Sequence, residues 1–319
     1  MDSLYTRPHA RRRSDHAEVK PSFAGAALEF RRVAVVARAT SGEIAASARE
    51  LSRFLEERGC EVFFERETAA QLGGKGLDYS DIGARADLAV IVGGDGTMLA
   101  AARSLVRHRV PLTGVNQGRL GFMTDIGHDD MRAGIGAILE GRYTLEERAL
   151  LDAEILRGGQ SVLRTIALNE AVVGKGGQGR LIEFELSIDG EFVYRLRGDG
   201  VIVATPTGST AYALSAQGPI LHPSVPALAL VPLAPHTLSA RPVSVSDRSV
   251  IEIGIVHAAD ARAHFDGFGL TEMAEGDRLV LKRSEDSIRF VHPPGYRYFA
   301  TLREKLRWSE VLDKPIGKA

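Results

Sequence analysis

Four short apolar runs dominate the first third of the chain: "RRVAVVAR" from Arg31, "CEVFFER" from Cys60, "ADLAVIV" from Ala86 and "VPLTGVN" from Val110. The segments between them carry a different period. Ile44, Ala48, Leu51 and Leu55 fall on one helical face, with Thr40 and Glu43 at capping-box spacing before them and Gly59 marking the end. A short helical stretch from Glu67 leads into polar turns around Gly73 and Gly76. Beyond the third run Met98, Ala102 and Leu105 share a face, with Leu99 and Val106 beside them. Strand, helix, strand in repetition predicts a parallel, doubly wound sheet.

After about residue 145 the period shortens. Ile182, Phe184, Leu186 and Ile188 alternate with polar residues, Asp189-Gly190 turns the chain, and Phe192, Tyr194 and Leu196 alternate again. This is a hairpin. Strand-like runs at "ALLDAEIL", "GVIVAT", "VIEIGIV" and "DRLVLKRS" make the second part mainly β. A length of 319 residues fits two domains, with the boundary near Thr124 to Gly127. We expect a polar, mobile arm over residues 1–29, an α/β unit over 30–125 and a mainly β unit over 126–290.

Charge and composition exclude some roles. A net charge of −1 gives no basic field for a phosphate backbone, so no nucleic-acid partner is expected. The segment Val225 to Pro235 reads as an apolar loop, broken by Pro226 and Pro232 and well short of the roughly 18 residues a membrane span needs. No membrane partner is expected either. The single cysteine, Cys60, reads as a buried strand residue and fits a reducing compartment, and the N-terminal stretch lacks the apolar core of a secretory signal. The expected location is the cytoplasm.

Three stretches can hold chemistry. In "AVIVGGDGTML" a buried strand runs into Gly93, Gly94, Asp95 and Gly96, with a helix expected from Thr97. Glycines let backbone approach a polyphosphate, and helix N–H groups favour it. A carboxylate among them repels phosphate unless it has a task of its own: taking a proton from an attacking hydroxyl, or capping the helix. The spacing does not fit the dinucleotide fingerprint of three glycines. In "ALNEAVVGKGGQGR", Asn169 and Glu170 stand in an apolar run and need partners, either local backbone or a ribose or purine edge. In "RGDGVIVATPTGSTAYALSAQGP", Thr205, Thr207, Ser209 and Thr210 surround Gly208, more hydroxyls than a cap uses, and Tyr212 offers a face for adenine. A nucleotide pocket shared by both domains accounts for all three.

The set "GGDGTML", "NQGRLGFMTD", "LNE", "GDG" and "TPTGSTAYALSAQGPI" resembles the signature of bacterial NAD kinases, in the same order, over roughly residues 31 to 300. The "GGDGT" loop alone is shared with lipid kinases of the diacylglycerol type and with 6-phosphofructokinases, but the "GTxND" and "TIDND" segments of those families are absent. The resemblance implies transfer of the γ-phosphoryl of ATP to the 2′-hydroxyl of the adenosine ribose of NAD, with Asp95 as the base. It places Gly93, Gly94, Gly96 and Thr97 at the ATP phosphates. Asp95, Gly96, Asn169, Glu170, Arg180, Arg197, Asp199, Thr210, Ala211, Tyr212, Ala213, Leu214 and Ser215 would line the NAD site. The rivals are another kinase built on the same loop and a nucleotide sensor without turnover.

The same resemblance implies an α/β nucleotide domain, a β-sandwich-like NAD-binding domain over 126–290, and a return of residues 291–319 to the first. It implies a homodimer or homotetramer, and Mg²⁺ or another divalent cation arriving on ATP. One departure stands out. Where the family usually carries Asp, a small residue and then Gln or Asn, this chain has Asp266-Gly267-Phe268. By the same resemblance Arg197, two residues before Asp199 where NADH-accepting members often carry a smaller residue, implies a preference for NAD over NADH.

Overall fold

The computed structural model describes residues 28–38, 41–118, 121–177 and 180–308. Most of the expected arm, Thr40 of the expected capping box and residues 309–319 of the expected return lie outside them. In the first part, β1 (Arg32–Ala37), β2 (Glu61–Phe64), β3 (Leu88–Val92), β4 (Leu112–Asn116) and β5 (Ile126–Gly127) run parallel in the order β2-β1-β3-β4-β5. Helices α1 (Gly42–Glu57), α2 (Arg66–Gln71), α3 (Tyr79–Arg85), α4 (Asp95–Leu105) and α5 (Met131–Leu139) connect and cover them.

Successive side chains of a strand point to opposite faces, and both faces here are apolar. Val33, Val35, Val90 and Val92 lie under Leu51 and Leu55 of α1 and Ile135 and Ile138 of α5. Ala34, Val36, Ala89 and Ile91 lie under Met98, Ala102 and Leu105 of α4. The sheet is therefore doubly wound. Cys60, just before β2, is buried. The hydroxyl of Ser41 caps α1, accepting the Ile44 N–H at 3.4 Å. Helix α4 starts at Asp95, two residues before the position expected from Thr97, because Gly94 supplies the extended N-cap backbone.

The second part contributes β6 (Thr144–Arg157), β7 (Gln160–Ala167), β8 (Glu170–Lys175), β9 (Ile182–Ile188), β10 (Glu191–Gly198) and β11 (Gly200–Ala204). The short helix α6 (Tyr212–Ser215) follows, then β12 (Ala227–Leu233), β13 (Val243–Ser246), β14 (Ile251–His257), β15 (Ala261–Phe265), β16 (Phe268–Met273), β17 (Arg278–His292) and α7 (Tyr298–Leu306). Strands β9 and β10 form the expected hairpin, and both turn residues, Asp189 and Gly190, adopt positive φ. The segment read as an apolar loop is instead the inner strand β12. Pro232 sits opposite Val201 of β11, and the neighbouring apolar residues supply the burial that holds the strand.

A six-stranded antiparallel sheet, β13-β12-β11-β8-β15-β16, packs against an antiparallel layer that includes β9, β14, β17 and β6. Between them lies a sandwich core in which Phe184, Leu186, Ile251 and Ile253 meet Val173, Val201 and Val203. The far face of the six-stranded sheet is covered by Ala213 of α6 and by Leu221. Strand β17 belongs to both halves. It pairs antiparallel with β14 at Arg278–Leu281 and parallel with β4 at Phe290, while β6 runs along its other side.

Candidate active site

Asp95 stands at the first turn of α4, but its carboxylate does not cap that helix. One oxygen accepts the N–H of Phe122 and the other that of Met123, each at 2.9 Å, so Asp95 clamps the "GFMT" part of the loop after β4. The clamp requires a glycine at 121. A Cβ there would lie 2.1 Å from Asp95 Oδ1 and 2.2 Å from Thr124 Oγ1. Gly93, Gly94, Gly96 and Thr97 form the turn from the carboxyl end of β3 into the first turn of α4; the Gly93 N–H donates to Val115 O at 2.9 Å and that of Thr97 to Gly94 O at 3.0 Å.

Asn169 and Glu170 stand where β7 passes into β8, and both are buried. Their backbone is held by Asp266, whose fully buried carboxylate accepts the N–H groups of Leu168 (2.9 Å), Asn169 (2.6 Å) and Glu170 (3.1 Å) and the guanidinium of Arg103 from α4 (2.6 Å). Phe268, where the family carries a polar residue, lies beside that guanidinium, 5.6 Å from ring centroid to Arg103 Cζ. Asn169 Oδ1 and Glu170 Oε2 are buried and have no hydrogen-bond partner among the described residues. Burial, and then the nearby Asp266 charge, push the Glu170 carboxyl up to about 7, against the opposing pull of the Tyr212 N–H.

The hydroxyl-rich third stretch packs onto the second. The Thr205 N–H donates to Asn169 O at 2.9 Å and its hydroxyl to Leu168 O at 2.5 Å. Gly208 fits only as glycine, because a Cβ there would lie 2.0 Å from Asn169 O. Much of the run closes its own loop: Ser209 Oγ donates to Pro206 O at 2.6 Å and Thr210 Oγ1 to Thr207 O at 3.1 Å.

The three stretches meet. A cavity of about 110 Å³ has Asp95, Asn169, Thr207, Thr210, Arg148 and Tyr298 in its wall, with Ala211 beside them. Tyr212, 44% exposed, lines instead a separate groove of about 330 Å³ with Asp199, whose carboxylate pairs with Lys175 at 2.8 Å. Ala213 puts its methyl into the core beneath; Leu214 is half-buried and Ser215 exposed. Arg180 and Arg197 are exposed, outside both walls.

Sequence reasoning missed Arg148, Tyr298 and the polar chain behind them. Arg148 Nη1 donates to Thr207 Oγ1 at 3.3 Å and Nη2 to Glu146 at 2.7 Å. Glu146 also meets His292 Nε2 at 3.0 Å, and His292 Nδ1 meets Asp125 at 2.8 Å. Burial opposes charging of His292, but its hydrogen bonds to Asp125 and Glu146 prevail and raise its pKa. Burial likewise pushes Glu146 up, and the hydrogen bond from His292 with the charge of Arg148 outweighs it, taking the carboxyl down to about 2. The available signal was the strand phase: Arg148 shares a face of β6 with Leu150, where an apolar residue belongs. Tyr298, at the start of α7, reaches the cavity from the end of the described chain and stacks edge-on against His222, 4.7 Å between centroids.

Comparison with known proteins agrees along nearly the whole chain. Residues 33–143 match the ATP-NAD kinase N-terminal domain and residues 168–293 the ATP-NAD kinase C-terminal domain. The NAD kinase of Aromatoleum aromaticum is 56% identical over 290 residues, 90% of this chain and 97% of the relative. That of Thiobacillus denitrificans is 49% identical over 89% of this chain and 99% of the relative. Among solved structures, an NAD kinase from Archaeoglobus fulgidus in complex with ATP superposes with a TM-score of 0.69 at 28% identity, covering 86% of this chain and 99% of that one. A yeast NADH kinase complexed with NADH gives a TM-score of 0.81 at 24% identity, over 91% and 90% of the two chains, a likeness of fold. With both of its domains matched in order, the chain belongs to the ATP-NAD kinase family.

Proposed function

We propose that this cleft positions the 2′-hydroxyl of NAD's adenosine ribose at Asp95, which takes its proton as the γ-phosphoryl of ATP is transferred. The overall reaction is that of the family, ATP-dependent phosphorylation of NAD to NADP. The carrying observation is convergence: Asp95, Asn169, Thr210 and Ala211, from three stretches far apart in sequence, line one cavity. Asn169 Oδ1 and Glu170 Oε2, buried and without a partner among the described residues, are the groups that a ribose would satisfy. Two backbone N–H groups fix the Asp95 carboxylate, leaving its remaining lone pairs for the hydroxyl.

In this reading the ATP phosphates lie against Gly93, Gly94, Gly96 and Thr97 at the start of α4, where the helix dipole favours negative charge. The adenine of NAD lies on Tyr212, with Asp199 in the same groove and Arg180 and Arg197 on the outer approach. Residues 210–215 contribute largely through backbone, since the Ala213 side chain is in the core. Among the described residues no group of three or more His, Cys, Asp or Glu could hold a metal, so Mg²⁺ or another divalent cation would be held by ATP and would neutralise charge at the phosphates. The working unit is a cytoplasmic homodimer or homotetramer whose partners are these small molecules, without nucleic acid or membrane. Among the described residues no helix is long and apolar enough to cross a bilayer.

Incubating the protein with NAD, ATP and Mg²⁺ and assaying NADP tests the reaction. Asp95→Asn tests the base: turnover should fall by on the order of 10²–10⁴ while most NAD affinity is kept. Near-normal turnover would leave Asp95 only its clamping of the 121–124 loop.

A further inference from the structure

The small cavity beside Asp95 contains one cation, Arg148, and one anion, Asp95; the rest of its wall is neutral. Its volume, about 110 Å³, is well below the roughly 300–1,000 Å³ of pockets that enclose whole ligands. It suits a single chemical group. The Arg148 side chain is 4% exposed, held by Glu146 and Thr207 and lying 5.4 Å from the centroid of Phe290, and its Nε has no partner among the described residues. Its counter-charge is shared: Glu146 also serves His292, which faces Asp125 on its other side. A buried guanidinium so placed is fixed in orientation and only partly neutralised, with donors left for an oxyanion.

We infer that Arg148 is the residue that receives the transferred phosphoryl group, holding the 2′-phosphate of the product in the cavity between itself and Asp95. This rests on the placement of the ribose at Asp95 proposed above. In the transfer the bond from the 2′-oxygen to the γ-phosphorus forms as the bond from that phosphorus to the ADP oxygen breaks. ADP keeps the electron pair, the hydroxyl proton passes to Asp95, and Arg148 contributes charge and hydrogen bonds but no atoms. Before transfer the anionic phosphoryl group is still bonded to ADP, and afterwards it is bonded to the 2′-oxygen inside the cavity, so its interaction with Arg148 strengthens as the group moves inward. NAD and NADP differ only by that phosphate, so the residue sets the ratio of their affinities.

The test is calorimetric binding of NAD and of NADP to the parent, Arg148→Gln and Arg148→Lys. Arg148→Gln should lower NADP affinity by on the order of 10- to 100-fold, the weight of hydrogen bonds to a charged group, with NAD affinity much less changed. Arg148→Lys should recover part of that loss. The ³¹P-monitored titration of the bound 2′-phosphate should have a lower midpoint in the parent than in Arg148→Gln. Equal weakening of both dinucleotides, or an unchanged ratio, would overturn the assignment and make Arg148 a support for Thr207. Should Arg148→Gln not fold, Arg148→Lys decides: it gives up the planar fork, so its ratio should fall about threefold or more below the parent's, and a ratio identical to the parent's overturns the inference. A parent that forms no NADP refutes the reading of the site, whereas an active parent whose Arg148 variants keep the ratio refutes this inference alone.

Discussion

Asp266→Asn removes one charge and changes one atom, yet four donors converge on that carboxylate. The amide has a single acceptor oxygen, and its NH₂ would face backbone N–H groups that also donate. Removing one partner of a buried ion pair costs roughly 3–5 kcal/mol. The Arg103 side chain is 19% exposed and keeps some water, so the low end, about 3 kcal/mol, is expected here. That is a large part of the roughly 5–15 kcal/mol that holds an ordinary domain. Urea unfolding should show it as an earlier midpoint with an unchanged slope. Function should change as well, because the same carboxylate sets where Asn169 and Glu170 stand. The KM for NAD should rise more than kcat falls. Losing the Asp266 charge should also lower the Glu170 pKa from about 7, moving any inflection it causes in the pH profile of KM to lower pH. A stability loss under about 1 kcal/mol with an unchanged KM would show that the "LNE" backbone does not depend on Asp266, and would refute the reasoning.

Glu170 itself carries a pH signature. Its folded pKa of about 7 lies above the ordinary value of 4.5, so its contribution is lost as pH rises from about 4.5 to 7, amounting to about 3 kcal/mol. Glu170→Gln should match the parent in urea unfolding near pH 4.5 and exceed it near pH 8; the same pH slope in both proteins would disprove the burial argument. Gly121→Ala drives a methyl into Asp95 Oδ1 and should cut turnover at least tenfold by displacing the carboxylate, with unfolding little changed; steady-state kinetics at full activity would mean that the loop accommodates the methyl. The parent should favour NAD over NADH in kcat/KM by a measurable, not absolute, margin, of the order of the roughly 1–3 kcal/mol that one small misfit supplies, and Arg197→Gly should narrow it. Equal use by the parent would remove Arg197 from the specificity argument.

What the sequence displays is local period. The runs at Val33–Ala37 and Leu88–Val92 are apolar without alternation because helices cover both faces, and the Asp189-Gly190 turn announces its hairpin because those residues tolerate positive φ. Contacts between distant segments leave no such period. Asp95 binds a loop 27 and 28 residues on, and Asp266 binds backbone 96 to 98 residues back. By local pattern Asp266 is an ordinary Asp-Gly turn residue, and the family resemblance that marks its position says nothing of the backbone it holds. Arg148 was hidden differently: it lies in an alternating strand where polar residues are common, and only its phase marks it as inward. The Val225–Pro235 segment misled because proline usually ends a strand, whereas here its neighbours Leu230 and Val231 are buried deeply enough to keep β12 in the sheet.

Strand β17 has a mechanical consequence. Because it pairs with β14 at Arg278–Leu281 and with β4 at Phe290, backed by β6 from Leu156 to Thr144, the two halves of the molecule share a beam and are not hung from a linker. Swinging one half about the other, as lids and hinged kinases do, would have to bend that beam or part Phe290 from Leu112. The one interruption is the register shift between Arg283 and Ser287, where a bulge makes bending cheap. Motion that widens or narrows the cleft is therefore confined to flexure at that point and to the loops at its mouth. An enzyme of this construction meets its substrates with its jaw already nearly set, and its selectivity must come from the fixed shape and charge of the walls.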